Sequence, residues 1–239
     1  MDEDYYLGFL KEVELMQYLD MISNETDRGL ALITASYLDN IIEKAFRENL
    51  IIPNKTFSDK LFNHNGAALG SLSIKCDIAL AFGWIDEFTF KDIATIRAIR
   101  NKFAHYLDVS SFADDKIKSL VSQIYNRKPD ESLLKGMEFI FESPEKLNSD
   151  YRLSYEIRTV RVINELIFYL TFSIKHFKDK MHPEREIKLD EDFTRINSSI
   201  MAICSKSNID MAVKRGLTLT EEGKKVYTNL VSSTEKILE

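Results

Sequence analysis

The sequence predicts an all-α fold, a multi-helix bundle with a mainly helical C-terminal extension. Three observations carry that reading. Apolar residues recur at spacings of three and four over long stretches. Eight glycines and four prolines in 239 residues supply too few turn signals for a many-stranded protein. The long stretches are dominated by Leu, Ile, Lys, Glu and Ala. With 44% hydrophobic residues, the chain can furnish a sizeable core in one large or two small domains.

Along the chain, Phe9, Val13, Met16 and Leu19 predict an amphipathic helix over 5–21, and Ser23 and Asn24 offer N-caps for the next one. The segment 25–49 has the strongest pattern: Leu30, Ile33, Tyr37, Leu38, Ile41 and Ala45 share one arc of an ideal wheel. Asp27 falls within that arc, where a carboxylate needs the helix N-terminus or a cation to hold it. Pro53 stops the helix, a short helix holding Leu61 and Phe62 follows, and Asn63 to Gly66 reads as a loop. A helix is expected over 70–83. Gly83-Trp84-Ile85-Asp86 then makes a break with an N-cap, and 87–105 is a helix striped by Ile93, Ile96, Ile99 and Phe103.

Beyond it, 106–113 reads as a loop and 114–126 as a helix, while 127–150 is mixed, with Pro129, Gly136 and Pro144. Met137 to Phe141 reads as a short strand or an exposed binding segment. Helices are expected again over 152–178, ended by His182-Pro183, and near 190–204 and 220–237.

Charge and composition narrow the function. No run approaches the roughly 18 apolar residues of a membrane span, and the start, Met1-Asp-Glu-Asp, is acidic where a secretory signal is basic. A cytoplasmic protein without membrane contact is expected. Cys76 and Cys204 stand far apart and read as reduced thiols. The net charge is −6; residues 1–154 carry 18 Lys and Arg against 25 Asp and Glu, so direct DNA binding is not expected. His64, His176 and His182 lack the spacing of zinc ligands, so neither metal nor cofactor is expected. Ser71 and Ser73 follow Gly70 without a phosphate-loop Gly-Lys-Ser/Thr, and Lys75 reads as a solvated residue. Tyr37 reads as packing and Asp39 as helix polarity.

The end of the helix 87–105 concentrates Arg97, Arg100, Asn101 and His105. Arg97, Asn101 and His105 lie about 40° apart in succession on one face, whereas Arg100 lies about 140° from His105, beside the isoleucine stripe. A guanidinium turned toward the core needs a carboxylate, and Asp27 is the candidate by its own wheel position. The bland reading is a buried Asp27–Arg100 clamp between two helices, with His105 stabilising a helix C-terminus. The alternative is a functional cluster of Asp27, Arg28, Arg97 and Arg100.

Four blocks in order carry a family resemblance: Glu25-Thr-Asp-Arg-Gly29 with Ala35-Ser-Tyr-Leu-Asp39; Gly66-Ala-Ala-Leu-Gly-Ser-Leu-Ser-Ile-Lys75; Ala79-Leu-Ala-Phe-Gly83; and Ile96-Arg-Ala-Ile-Arg-Asn-Lys-Phe-Ala-His105. Over roughly 5–125 the chain resembles the mannitol operon repressor family. The resemblance implies a helical domain over 1–126, followed by an extension, 127–239, of unassigned role. It further implies regulation of sugar-alcohol uptake or metabolism, exerted through a protein partner such as a transcription or sugar-transport regulator, and a homodimer is possible.

Arg100-Asn101 followed by His105 also resembles the Arg-polar-x-x-x-His pattern of HEPN domains. That resemblance implies a metal-independent ribonuclease with RNA as substrate. His105 would move protons, Arg100 would stabilise the phosphorane and Asn101 would hold a phosphate oxygen. A third alternative is direct DNA binding through a helix, turn and helix over 207–225 with Lys214, Arg215, Lys224 and Lys225, but Asp210, Glu221 and Glu222 offset most of that charge and the segment reads as an ordinary helix junction.

Overall fold

The computed structural model describes residues 12–63, 66–126, 139–181 and 191–238. These form helices α1 (Glu12–Ser23), α2 (Asp27–Asn49), α3 (Lys55–Phe62), α4 (Leu72–Ala81), α5 (Glu87–His105), α6 (Asp115–Val121), α7 (Lys146–Ser149), α8 (Tyr151–Met181), α9 (Glu191–Lys214) and α10 (Glu221–Leu238). The all-α expectation holds. The described residues contain no β-sheet, only a single antiparallel bridge between Phe141 and Leu219.

Helices α2 and α5 form the central pair. Their inward stripes interlock through Leu30, Leu38, Ile41, Ile42 and Ala45 on one side and Ile93, Ile96, Ile99 and Phe103 on the other, all essentially removed from water. Helix α4 flanks both, α8 lies against both, and α9 packs on α8, α1 and α10. One buried cluster runs from Leu15 to Leu217. Phe112, in the segment after α5, packs on Phe103 at 5.0 Å and on Tyr155 of α8 at 4.4 Å, so aromatic contacts tie α5 to α8.

Caps explain where the helices begin. Asp86 accepts from Thr89 N at 2.7 Å, after Gly83 has turned the chain with φ of +68°. The cap of α2 is Thr26, which accepts from Gly29 N, and neither Ser23 nor Asn24 fills that role. Helix α9 runs ten residues past the expected end at 204, because Ile209, Met211 and Ala212 prolong its buried face. The proposed first helix of the 207–225 layout is thus the last part of α9. Gly216, with φ of +82°, then turns the chain, and Thr220 caps α10 by accepting from Gly223 N at 2.9 Å.

For the segment expected as a strand or an exposed element, residues 137 and 138 lie outside the described residues. Phe141 is buried and Phe139 is exposed. Glu142 N donates to Thr218 O at 2.9 Å and Thr220 N to Ile140 O at 3.0 Å, so the segment braces the turn before α10. A Cβ on Gly223 would fall 2.2 Å from Ile140 O. Gly223→Ala is therefore expected to cost about 1–3 kcal/mol, read as a lowered denaturation midpoint; an unchanged midpoint would show that the brace yields freely.

Candidate functional site

The adjacent residues Asp27 and Arg28, in the first turn of α2, grip the segment that follows α5. Asp27 Oδ2 accepts from Phe112 N at 2.9 Å. Arg28 Nη2 donates to Tyr106 O at 3.3 Å and to Val109 O at 3.1 Å. The other Asp27 oxygen, Oδ1, accepts from Arg152 Nη1 of α8 at 2.9 Å, and Arg152 Nε donates to Glu156 Oε1 at 2.9 Å. Asp27 therefore has the cationic partner its inward position demands, but that partner is Arg152. The expected Asp27–Arg100 clamp is absent: Arg100 Nη1 instead donates to Asn101 Oδ1 at 3.1 Å. The wheel located the carboxylate correctly, but its cation comes from a helix 125 residues away, which periodicity within α2 and α5 does not reveal.

Burial sets the electrostatics of this junction. Glu156 is 3% exposed, and desolvation pushes its carboxyl above the usual range even though Arg152 pulls the other way. Burial also acts against the charge on Arg152, and there the hydrogen bonds and charges of Glu156 and Asp27 prevail and hold its pKa up. A carboxyl with a raised folded pKa favours folding while protonated, and that contribution is lost as pH rises from its ordinary value of 4.5 through the raised one. Glu156→Gln is expected to flatten this fall in stability with rising pH and to change neutral-pH stability by no more than about 1 kcal/mol. Urea midpoints followed from pH 4 to 8 test this, and a slope equal to that of wild type would refute it.

Two grooves flank Arg152 and Arg215. One, of about 370 Å³, lies among Ser23, Asn24, Glu25, Glu156, Met211 and Lys214; the other, of about 510 Å³, lies among Asp27, Ser111, Asp150 and Tyr151. Lys214 Nζ is turned to Ser23 O at 2.6 Å, Arg215 faces Asp150 at 3.5 Å, and Lys224 pairs with Glu221 at 2.6 Å. Three of the four cations counted in the 207–225 layout thus have partners within the protein. A larger groove of about 600 Å³ separates α1, α9 and α10, with Met16, Leu19 and Val231 beside Lys206, Asp210 and Tyr227.

Asn101 and His105 are exposed at the end of α5, and Arg97 and Arg100 are half-buried. Among the described residues, Arg28, Arg97, Arg100 and Lys102 make no ion pair. The Lys102 and Lys116 ammonium groups stand 5.8 and 5.5 Å from the centre of the Tyr106 ring.

Sequence reasoning missed a second charged cluster. Lys75 is not a solvated residue: it is 1% exposed, and its ammonium donates to Asp39 at 2.8 Å and Glu43 at 2.5 Å. Arg47 pairs with Glu43 at 2.7 Å and reaches Ser58 at 2.7 Å, which ties α2 to α3. Asp39 is therefore half of an interhelical ion pair as well as a polar residue of α2. The signal lay in the inward stripe of α4, Leu72, Lys75, Cys76 and Ala79, where the lysine occupies a core position. Tyr37, read as packing, stacks on Tyr18 with centroids 4.1 Å apart.

Cys76 and Cys204 are both buried and free, and desolvation pushes each thiol up to about 12. His64, His182 and the side chain of His176 lie outside the described residues. No described helix is long and apolar enough to cross a membrane.

A family model described as mannitol repressor matches residues 30–161, more than half of the 239-residue chain. No curated protein matches. Among solved structures, the X-ray structure of the MtlR-HPr complex from Escherichia coli is similar at 16% identity and a TM-score of 0.42, covering 70% of this chain and 97% of that one.

Proposed function

Because the chain belongs to the mannitol repressor family, we propose that it regulates sugar-alcohol uptake or metabolism by docking onto a protein partner, without itself reading a DNA sequence. The family match over 30–161 carries this reading. Charge supports the protein partner: residues 1–154 hold 25 acidic against 18 basic residues, a field that repels a phosphate backbone. A transcription regulator or a regulator of sugar transport fits as the partner.

The experiment has two arms. Deleting the gene in its host is expected to raise transcription of a sugar-alcohol uptake operon, while the purified chain leaves the operator DNA of that operon unshifted at physiological salt. Unchanged transcription would remove the regulatory reading. A specific shift by the chain alone would replace partner docking with direct DNA binding.

The ribonuclease alternative rests on the hydrogen-bonded Arg100 and Asn101, with His105 exposed one turn further along. It requires Arg100 and His105 to open onto one cleft, across an interface between two copies of the chain. Cleavage of RNA in chelator by wild type, lost in His105→Ala, would establish it in place of the docking reading.

A further inference from the structure

We infer that the last turns of α5 and the turn after it form a docking surface for an acidic segment of a partner protein, with Leu107 as its apolar anchor. This deepens the reading that the chain works through a protein partner and rests on it. Leu107 is 91% exposed and Tyr106 50% exposed. They stand on a fixed turn: Arg28 holds Tyr106 O and Val109 O, Asp27 holds Phe112 N, and the side chains of Val109 and Phe112 are fully buried. A large apolar side chain projecting from a pinned backbone binds with little ordering cost, which is the property of an interface anchor.

Two cations without a carboxylate partner adjoin the turn: Arg28, at Tyr106 O, and Lys102, over the Tyr106 ring. Arg28, Arg97, Arg100 and Lys102 make no ion pair among the described residues, whereas Lys44, Arg47, Lys75, Lys116, Lys118 and Arg152 all do. The acids nearest in sequence are already engaged: Asp108 by Lys116 at 2.5 Å, Asp115 by Lys118, and Asp114 as the cap of α6. In a chain of net charge −6, this is a local cationic surface with spare capacity for carboxylates. An exposed leucine in a turn adjoined by Arg28 and Lys102 favours a protein chain over a nucleic acid, whose phosphates offer it no apolar contact.

A photo-crosslinking residue placed at Leu107 of the full chain in its host, with a second placed at exposed Met201 as a control, tests the inference. The expected adduct at 107 is a protein whose crosslinked peptide is rich in Asp and Glu. A synthetic, fluorescent copy of that peptide should bind the purified chain, more weakly as salt rises. Binding should fall at least tenfold in Leu107→Ser and in Lys102→Glu, hold in Lys102→Arg, and the melting temperature should stay at the wild-type value in all three. An RNA adduct, an adduct to a second copy of the chain, a crosslinked peptide without acidic residues, or no adduct at 107 overturns the inference. A partner captured at 201 alone leaves partner docking standing and moves its site, whereas no protein adduct at either position removes the docking reading as well.

Discussion

Arg152→Ala is expected to lower folding stability by about 3–5 kcal/mol, the cost of breaking a buried charge network by removing one partner. The guanidinium is 15% exposed and serves two carboxylates, Asp27 at 17% and Glu156 at 4% exposure. Without it Asp27 loses its ion pair and Glu156 keeps only the weaker charge of Arg215, so Glu156, already pushed upward by burial, has a further reason to take up a proton. The variant should therefore lose stability more steeply as pH rises above the ordinary carboxylate range, because its folded state retains protons that the unfolded chain releases. Denaturant titrations at pH 5 and pH 8 measure both effects, and a loss under about 1 kcal/mol at pH 8 would show that water already reaches the network. The double variant Asp27→Asn with Arg152→Ala should recover part of the loss, since one of the two stranded charges is gone. Because Asp27 also holds Phe112 N, the segment carrying Tyr106 and Leu107 should become more mobile in the single variant, seen as faster amide exchange at Phe112.

What could be read from the sequence follows from the range of the forces concerned. Helix α5 was legible from end to end, since its stripe and terminus lie within its own 19 residues and its cap, Asp86, directly precedes them. The inward position of Asp27 was legible for the same reason, because a residue's face depends only on its neighbours three and four places away. The partner of Asp27 was not, because Arg152 sits on α8 and only the packing of α8 against α2 and α5 brings it there. The wheel offered Arg100 because that cation lay beside the isoleucine stripe of its own helix, and a local argument has no means of preferring one 125 residues away. The extra length of α9 was not legible, because the buried Ile209, Met211 and Ala212 that carry the helix onward show their role only once the neighbouring helices lie beside them. Lys75 is a different case, since its place on the stripe of α4 was visible and a habitual reading of lysine as a surface residue overrode it.

That lysine gives the second large prediction. Lys75→Met preserves most of the side-chain volume and removes only the charge, yet it is expected to cost about 3 kcal/mol or more, because Asp39 and Glu43 then face each other across a site built for an ammonium. The pH dependence distinguishes this from a packing defect. Burial works against the Glu43 carboxylate in the wild type, but the hydrogen bonds and charges of Lys75 and Arg47 outweigh it and hold the group below its ordinary value of 4.5. A depressed carboxyl stabilises the fold at every pH above its unfolded value, and that stability is lost as pH falls through the folded one. With Lys75 gone, desolvation and the neighbouring Asp39 act together against the charge, and Arg47 alone opposes them. The balance at Glu43 should move upward, so the variant loses stability less steeply than wild type on acidification. The gap between the two proteins should then narrow from pH 7 toward pH 4. A gap that stays constant across that range would mean that the buried ammonium contributes through its methylene packing, and that Asp39 and Glu43 are solvated well enough to stand alone.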